Sequence, residues 1–362
     1  MTDAAQNLSR RNLLRGVGAF GAMSVIAACT SNEASDDAAT TAAATTAAAT
    51  GDTETEAAAQ EEGPAVTIGF SAPEADHGWI AAVTDNAAAA AEQFGDVTFE
   101  ATEGTNDVNQ QISQVETLIN GGVDVLAILP FDGAALTEIA QQAMDAGIPV
   151  VNIDRIFDSP LAYRTYIGGD NYGMGVSAGN FIGQRLTDEG VDSPVIAEIA
   201  GIDQLPLTQA RSQGFADALE GYGFSVTARQ AAEFTVESGQ QVTANLLQAE
   251  PEIDAIWNHD DDQGVGVLAA INEAGRNEFF MVGGAGSANA MREIQSGESV
   301  LVATVLYSPT MAGSGINLAR LIAQNKGMSD LVELAVPASI TTFSATVTAD
   351  NVEEYLPYGF ES

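Results

Sequence analysis

The 362-residue chain carries 50 acidic against 12 basic residues, a formal charge of −38, and is 46% hydrophobic with 6% aromatic residues. That is enough apolar material for two ordinary domains, and the acidity excludes a nucleic-acid partner or attraction to an anionic lipid surface. Lys326 is the only lysine and Cys29 the only cysteine, so no disulfide can form within the chain.

The first residues are read as a targeting segment. Ser9-Arg10-Arg11-Asn12-Leu13-Leu14-Arg15 resembles a twin-arginine export signal, and the apolar run 16–28 is too short to span a bilayer. Ile26-Ala27-Ala28-Cys29 has the form of a lipoprotein cleavage site, which makes residues 1–28 a removable signal and Cys29 the expected lipidation site. Residues 29–63 are mostly Ala, Thr, Asp and Glu. Such a stretch buries too little apolar surface to offset ordering entropy, so it is expected to be a disordered acidic tether. The folded body would then hang, lipid-anchored, from the outer face of the cytoplasmic membrane.

From residue 65 the pattern alternates. A strand at 65–72, a helix at 79–94, a strand at 97–101, a helix at 106–120, a strand at 123–129 and a helix at 133–146 lead to Pro149 and the run Val150 to Ile153. That last run is short, rich in β-branched residues and uniformly apolar, as in a parallel sheet covered by helices on both faces. The alternation then restarts. Extended runs at 163–168, 195–200, 224–231, 253–257, 279–283 and 300–306 are interleaved with helices at 172–186, 206–219, 238–248, 262–274, 289–296 and 309–323. Two successive halves of one βα architecture predict two similar, doubly wound, mostly parallel α/β lobes with a cleft between their strand ends.

In open α/β sheets ligands bind beyond the carboxyl ends of the strands. There the chain places His77 and Trp79, then Asp154 and Arg155, then Arg211, Phe234 and Asp260. Carboxylates and guanidiniums can hydrogen-bond vicinal hydroxyls from both sides, while aromatic faces stack on a sugar's C–H edges. Each residue has an ordinary alternative, Trp79 and Phe234 as core and Asp260 as a helix cap. Their recurrence at successive strand ends carries the case.

The segments TIGFSA, GGVDVLAILP, GIPVVNIDR, YIGGDN, QARSQGF, AAEF, AIWNHDD and LVATVLYSP resemble, colinearly over 67–343, the type 1 periplasmic sugar-binding proteins, and among these the ribose binders. The resemblance implies a solute-binding lipoprotein that captures a monosaccharide or sugar alcohol and delivers it to an ABC permease. It also allows a sensor subunit that presents its closed form to a chemoreceptor or kinase. It places the pocket on His77, Trp79, Asp154, Arg155, Arg211, Phe234, Asp260 and Tyr307, and implies a monomer with no cofactor and no metal. Pro73, Asp260, Ala285 and Tyr307 depart from the ribose pattern, which carries Ser, Asn, Asp and Gln there, so ribose itself is not expected. Three lobe crossovers are implied, near Asp170, Tyr307 and Ser339. The N-terminal lobe would be 64–169 completed by 308–338, and the C-terminal lobe 170–307 completed by 339–362. Arg211→Ala is expected to weaken binding while leaving the ligand-free melting temperature nearly unchanged, with Arg229→Ala as a silent control.

Enzymatic function is not expected. Gly283-Gly284-Ala285-Gly286 comes too late for a dinucleotide loop and lacks the third glycine. His259-Asp260-Asp261-Asp262 reads as capping residues at a strand-to-helix turn rather than a metal site. A regulator of the lac-repressor type would need a basic headpiece where this chain has an export signal and an acidic tether.

Overall fold

The structure is a computed structural model that describes residues 62–328 and 334–362; the export signal, Cys29 and the tether up to residue 61 lie outside the described residues. The first sheet is built from β1 (Val66–Ser71), β2 (Val97–Ala101), β3 (Val125–Ile128), β4 (Val150–Ile153) and β5 (Thr165–Gly169). Between them run α1 (Gly78–Glu92), α2 (Val108–Gly121) and α3 (Gly133–Asp145). Every residue of β3 and β4 is buried, which explains why these strands read as unbroken apolar runs rather than as alternating ones. Asp107 and Asp132 start α2 and α3 by accepting from the amides of Gln110 and Ala135, each satisfying a donor that the first helical turn cannot.

The second lobe contains α4 (Asn171–Asp188), β6 (Ile196–Ala200), α5 (Pro206–Glu220), β7 (Ala228–Ala231), α6 (Val236–Ala249), β8 (Ala255–Asn258) and α7 (Asp261–Ala274). It continues with β9 (Phe280–Ala285), α8 (Ala288–Ser296) and β10 (Leu301–Leu306). The chain then returns to the first lobe through α9 (Met311–Ala323) and β11 (Ser339–Thr342), and closes with β12 (Thr346–Thr348), α10 (Val352–Tyr355) and a 3-10 turn at Leu356–Tyr358. The strand orders are β2-β1-β3-β4-β5-β11 and β7-β6-β8-β9-β10-β12. Among the described residues every strand pairing is parallel except β12 with β10. Two doubly wound α/β lobes of the same design result.

Two sequence expectations shift. The run at 224–231 forms a strand only from Ala228, because Phe224 still closes the end of α5, its amide bonding Leu219 O, and pairing with β6 begins where Thr227 N reaches Ile196 O. Ser339 was expected to open the C-terminal completion of the second lobe. Instead 339–342 lie beside β5 in the first sheet, Ser339 against Tyr166 and Thr342 against Gly169. The open edge of β5 offers unpaired backbone groups, and the β-branched run Ile340-Thr341-Thr342 takes them. The last crossing therefore falls after Thr342.

Candidate functional site

The carboxyl ends of both sheets face one small cavity, lined from the first lobe by His77, Trp79, Asp154 and Arg155 and from the second by Leu207, Arg211, Phe234 and Asp260. Tyr307, directly after β10, completes the wall. All eight pocket residues expected from the sequence thus meet in one place; Leu207 joins them without having been singled out.

Local structure fixes each side chain. Asp154 and Phe234 sit in left-handed backbone, φ 60° and 63°, and so does Ala285, φ 87°, whose carbonyl accepts from Tyr307 N. Such geometry costs a non-glycine residue of order 1–3 kcal/mol and persists only where surrounding contacts impose it. Here Tyr166 donates to Asp154 O at 2.8 Å and Gln263 Oε1 accepts from Phe234 N at 3.0 Å. Arg211 is placed by close contact between α4 and α5: a Cβ on Gly175 would lie 2.0 Å from Arg211 O, and one on Gly214 2.1 Å from Tyr172 O.

Arg211 donates from Nε to Asn171 Oδ1 at 2.9 Å and from NH1 to His259 O at 3.1 Å, with its guanidinium 4.5 Å from the Tyr307 ring centre. Arg155 faces it from the other lobe. It gives NH1 to Phe131 O at 2.7 Å, while its buried Nε has no partner among the described residues. Burial pulls its guanidinium below the usual range, against the attraction of Asp154. Asp260 spends Oδ1 on capping α7, accepting from Asp262 N and Gln263 N at 2.9 and 3.1 Å. Burial, together with the neighbouring Asp262, pushes its carboxyl up to about 7. Burial disfavours charge on His77, but the Asp76 carboxylate at 2.5 Å outweighs it and raises the imidazole.

The acidic turn after β8 divides its labour. Asp260 caps α7, while Asp261 accepts from the amides of Gly284, Gly286 and Ser287 at 2.8–2.9 Å and so holds the β9 turn. Among the described residues no group of His, Cys, Asp and Glu is arranged to hold a metal. Sequence reasoning also missed the support behind Arg211. Glu198, buried in the middle of β6, accepts from the Ser212 hydroxyl, bonds His259 Nε2 at 2.9 Å and lies 3.4 Å from Arg229 Nε. A charged residue inside the apolar run 195–200 was the signal that could have revealed it.

Residues 68–327 match the family described as the periplasmic binding protein domain. The chain belongs to the periplasmic binding protein family. Within it the chain is of the type 1 sugar-binding kind. It is 33% identical over 211 residues to the ribose import binding protein of Bacillus subtilis, a match spanning 58% of this chain and 66% of that one. It also resembles a Mycobacterium smegmatis ABC transporter solute-binding protein solved with bound glycerol, at TM-score 0.72 and 27% identity, over 81% of this chain and 97% of that one. The fructose-binding periplasmic domain of a hybrid two-component system is similar at TM-score 0.71 and 27% identity, over 81% and 93% of the two chains. These relatives are binding proteins.

Proposed function

We propose that the chain captures a small neutral monosaccharide or sugar alcohol in the inter-lobe cavity and delivers it to an ABC permease, without turnover. The observation that carries this is the unspent polar set around the cavity. Among the described residues Arg155 Nε is buried without a partner and Asp260 keeps one oxygen free of donors, while Trp79, Phe234 and Tyr307 supply aromatic walls. Donors and acceptors around aromatic faces suit a ligand with hydroxyls on one edge and C–H groups on the other. The space between the lobes is small, and Tyr307 already occupies one oxygen of Asp154, which favours a ligand with few hydroxyls. His77, Trp79, Asp154, Arg155, Arg211, Phe234, Asp260 and Tyr307 are the proposed ligand contacts. The body is held by lipid on Cys29 at the outer face of the cytoplasmic membrane.

A thermal-shift screen of sugars and polyols tests this. A true ligand at a hundredfold excess over its Kd stabilises the native state by about 2.7 kcal/mol. A melting curve that moves with amino acids or nucleosides and with no sugar or polyol would overturn the assignment. A sensory role is the second reading, supported by the likeness to the two-component fructose-binding domain. Sugar-dependent binding to a receptor domain, with no dependence of uptake on this chain, would favour it.

A further inference from the structure

The lobes also meet beside the cavity, at the N-terminus of α1. The first turn of that helix has no acidic residue, and its N-cap residue His77 makes no side-chain capping bond. The opposite lobe supplies the cap instead: Asp262, in the first turn of α7, accepts from Trp79 N through Oδ2 at 2.8 Å. The approach is close enough to demand glycine at position 78, where a Cβ would stand 2.7 Å from Asp262 Oδ1 and 2.5 Å from Glu361 O. Glu361 is itself held to the second lobe, its carboxylate bonding Arg292 at 2.7 and 2.9 Å. Trp79 N–H is one of the first-turn donors that a helix cannot satisfy internally, and a carboxylate there is further favoured by the helix dipole.

We propose that Asp262 is a closure latch, a positioning residue that caps α1 from the opposite lobe only while the cleft is shut. This rests on the reading of the cleft as a hinged binding site. Two residues along, Asp260 lines the cavity on the same turn of α7, so a ligand gripped by Asp260 steadies the turn that carries the latch. Parting of the lobes withdraws Asp262 and leaves the Trp79 amide to water.

The test needs no ligand. Amide exchange and lobe separation, the latter by small-angle scattering, are measured on the full ligand-free chain and on Asp262→Ala and Asp262→Asn. In Asp262→Ala the protection of the Trp79 amide falls about five- to tenfold, the scale of a lost helix cap, and the mean lobe separation grows. Asn, which offers an oxygen to the same amide, restores both. The Leu126 amide, bonded to Pro149 O inside the first sheet, keeps its protection in all three. Unchanged Trp79 protection in Asp262→Ala overturns the latch. So does a loss shared with Leu126, which would make Asp262 a residue of lobe stability. Failure of the sugar screen with Trp79 protection behaving as stated would overturn the ligand class and leave the latch standing.

Discussion

The Tyr307 hydroxyl lies 2.5 Å from Asp154 Oδ1, so the residue after β10 in one sheet is bonded to the residue after β4 in the other. Burial, reinforced by the Asp154 charge, raises the phenol well above its ordinary range and keeps it a donor. Asn171 Nδ2 donates to the same hydroxyl at 3.1 Å. Tyr307→Phe removes a hydrogen bond to a charged group, of the order of 1.5–3 kcal/mol. Calorimetry of the ligand-free protein should show a melting temperature lower by several degrees. An unchanged transition would mean that this bond does not hold the lobes together.

Arg211→Ala should weaken ligand binding at least thirtyfold, since truncating one member of a buried charged contact costs ~2–5 kcal/mol and each decade is ~1.4 kcal/mol. Contrary to the expectation from sequence, the ligand-free protein should be destabilised too, by ~1–3 kcal/mol, because Asn171 Oδ1 and His259 O lose their donor. Arg229 is no silent control either: it pairs with Asp203 at 2.6 Å and sits beside Glu198. Titration calorimetry and thermal denaturation on the same samples separate the two effects. Wild-type affinity in Arg211→Ala would place the site elsewhere.

Asp96, just ahead of β2, receives Arg320 of α9 through Nε at 2.7 Å and NH2 at 2.5 Å, with both side chains buried. Breaking such a pair typically costs ~3–5 kcal/mol, so Arg320→Leu should lower the denaturation midpoint markedly. Arg320 holds the Asp96 carboxyl well below the usual carboxylate range. A depressed folded value means stability present above the unfolded value of about 3.9 and lost as pH falls below it. Acid unfolding of wild type should therefore be steep there, and that slope should be shallower in Arg320→Leu.

Asp260 has the opposite sign. Its carboxyl is pushed up to about 7, so the folded state holds a proton that the unfolded chain releases near 3.9. The contribution is complete below that value and disappears as pH rises through about 7. Asp260→Asn keeps an oxygen for capping α7 and removes the charge; at pH 8 it should gain ~1.4 kcal/mol or more, one pKa unit's worth. His259, lowered to about 4 chiefly by burial, slopes the other way between about 4 and 6.5, so the quantity to read is the difference between variant and wild type across pH 4–8. A difference that does not vary with pH would refute the assignment.

Cys29→Ser should release the protein from the membrane fraction into the soluble extracytoplasmic fraction, because the thiol is the proposed attachment point for lipid. Continued sedimentation of the variant with membranes would count against lipid anchoring.

That the candidate residues would cluster was legible because most of them stand at or just beyond strand ends, where topology alone brings them together. Asp154 and Arg155 follow an apolar run, and Asp260 follows the run through Trp257. The positions that were missed depend on contacts distant in sequence. Nothing local marks Asn171 as the bridge between Arg211 and Tyr307, and nothing near Asp262 shows that its partner is an amide 183 residues away. The placement of β11 failed for the same reason. The run 339–342 pairs readily with any open edge, and only the assembled first sheet shows which edge was waiting.

The crossing after Thr342 sets the order in which the molecule can be assembled. Strands β6 to β10 lie within 196–306, so the inner sheet of the second lobe is available as a continuous stretch and lacks only its outermost strand. The first sheet begins at Val66 and is finished only by Ser339–Thr342, after strands β6 to β10 of the other lobe have been synthesised. Contacts of such sequence separation are slow to form and leave edges exposed in the interval. A nascent chain interrupted before residue 339 would present β5 as a bare edge open to aggregation, an edge that Ser339–Thr342 covers in the finished fold.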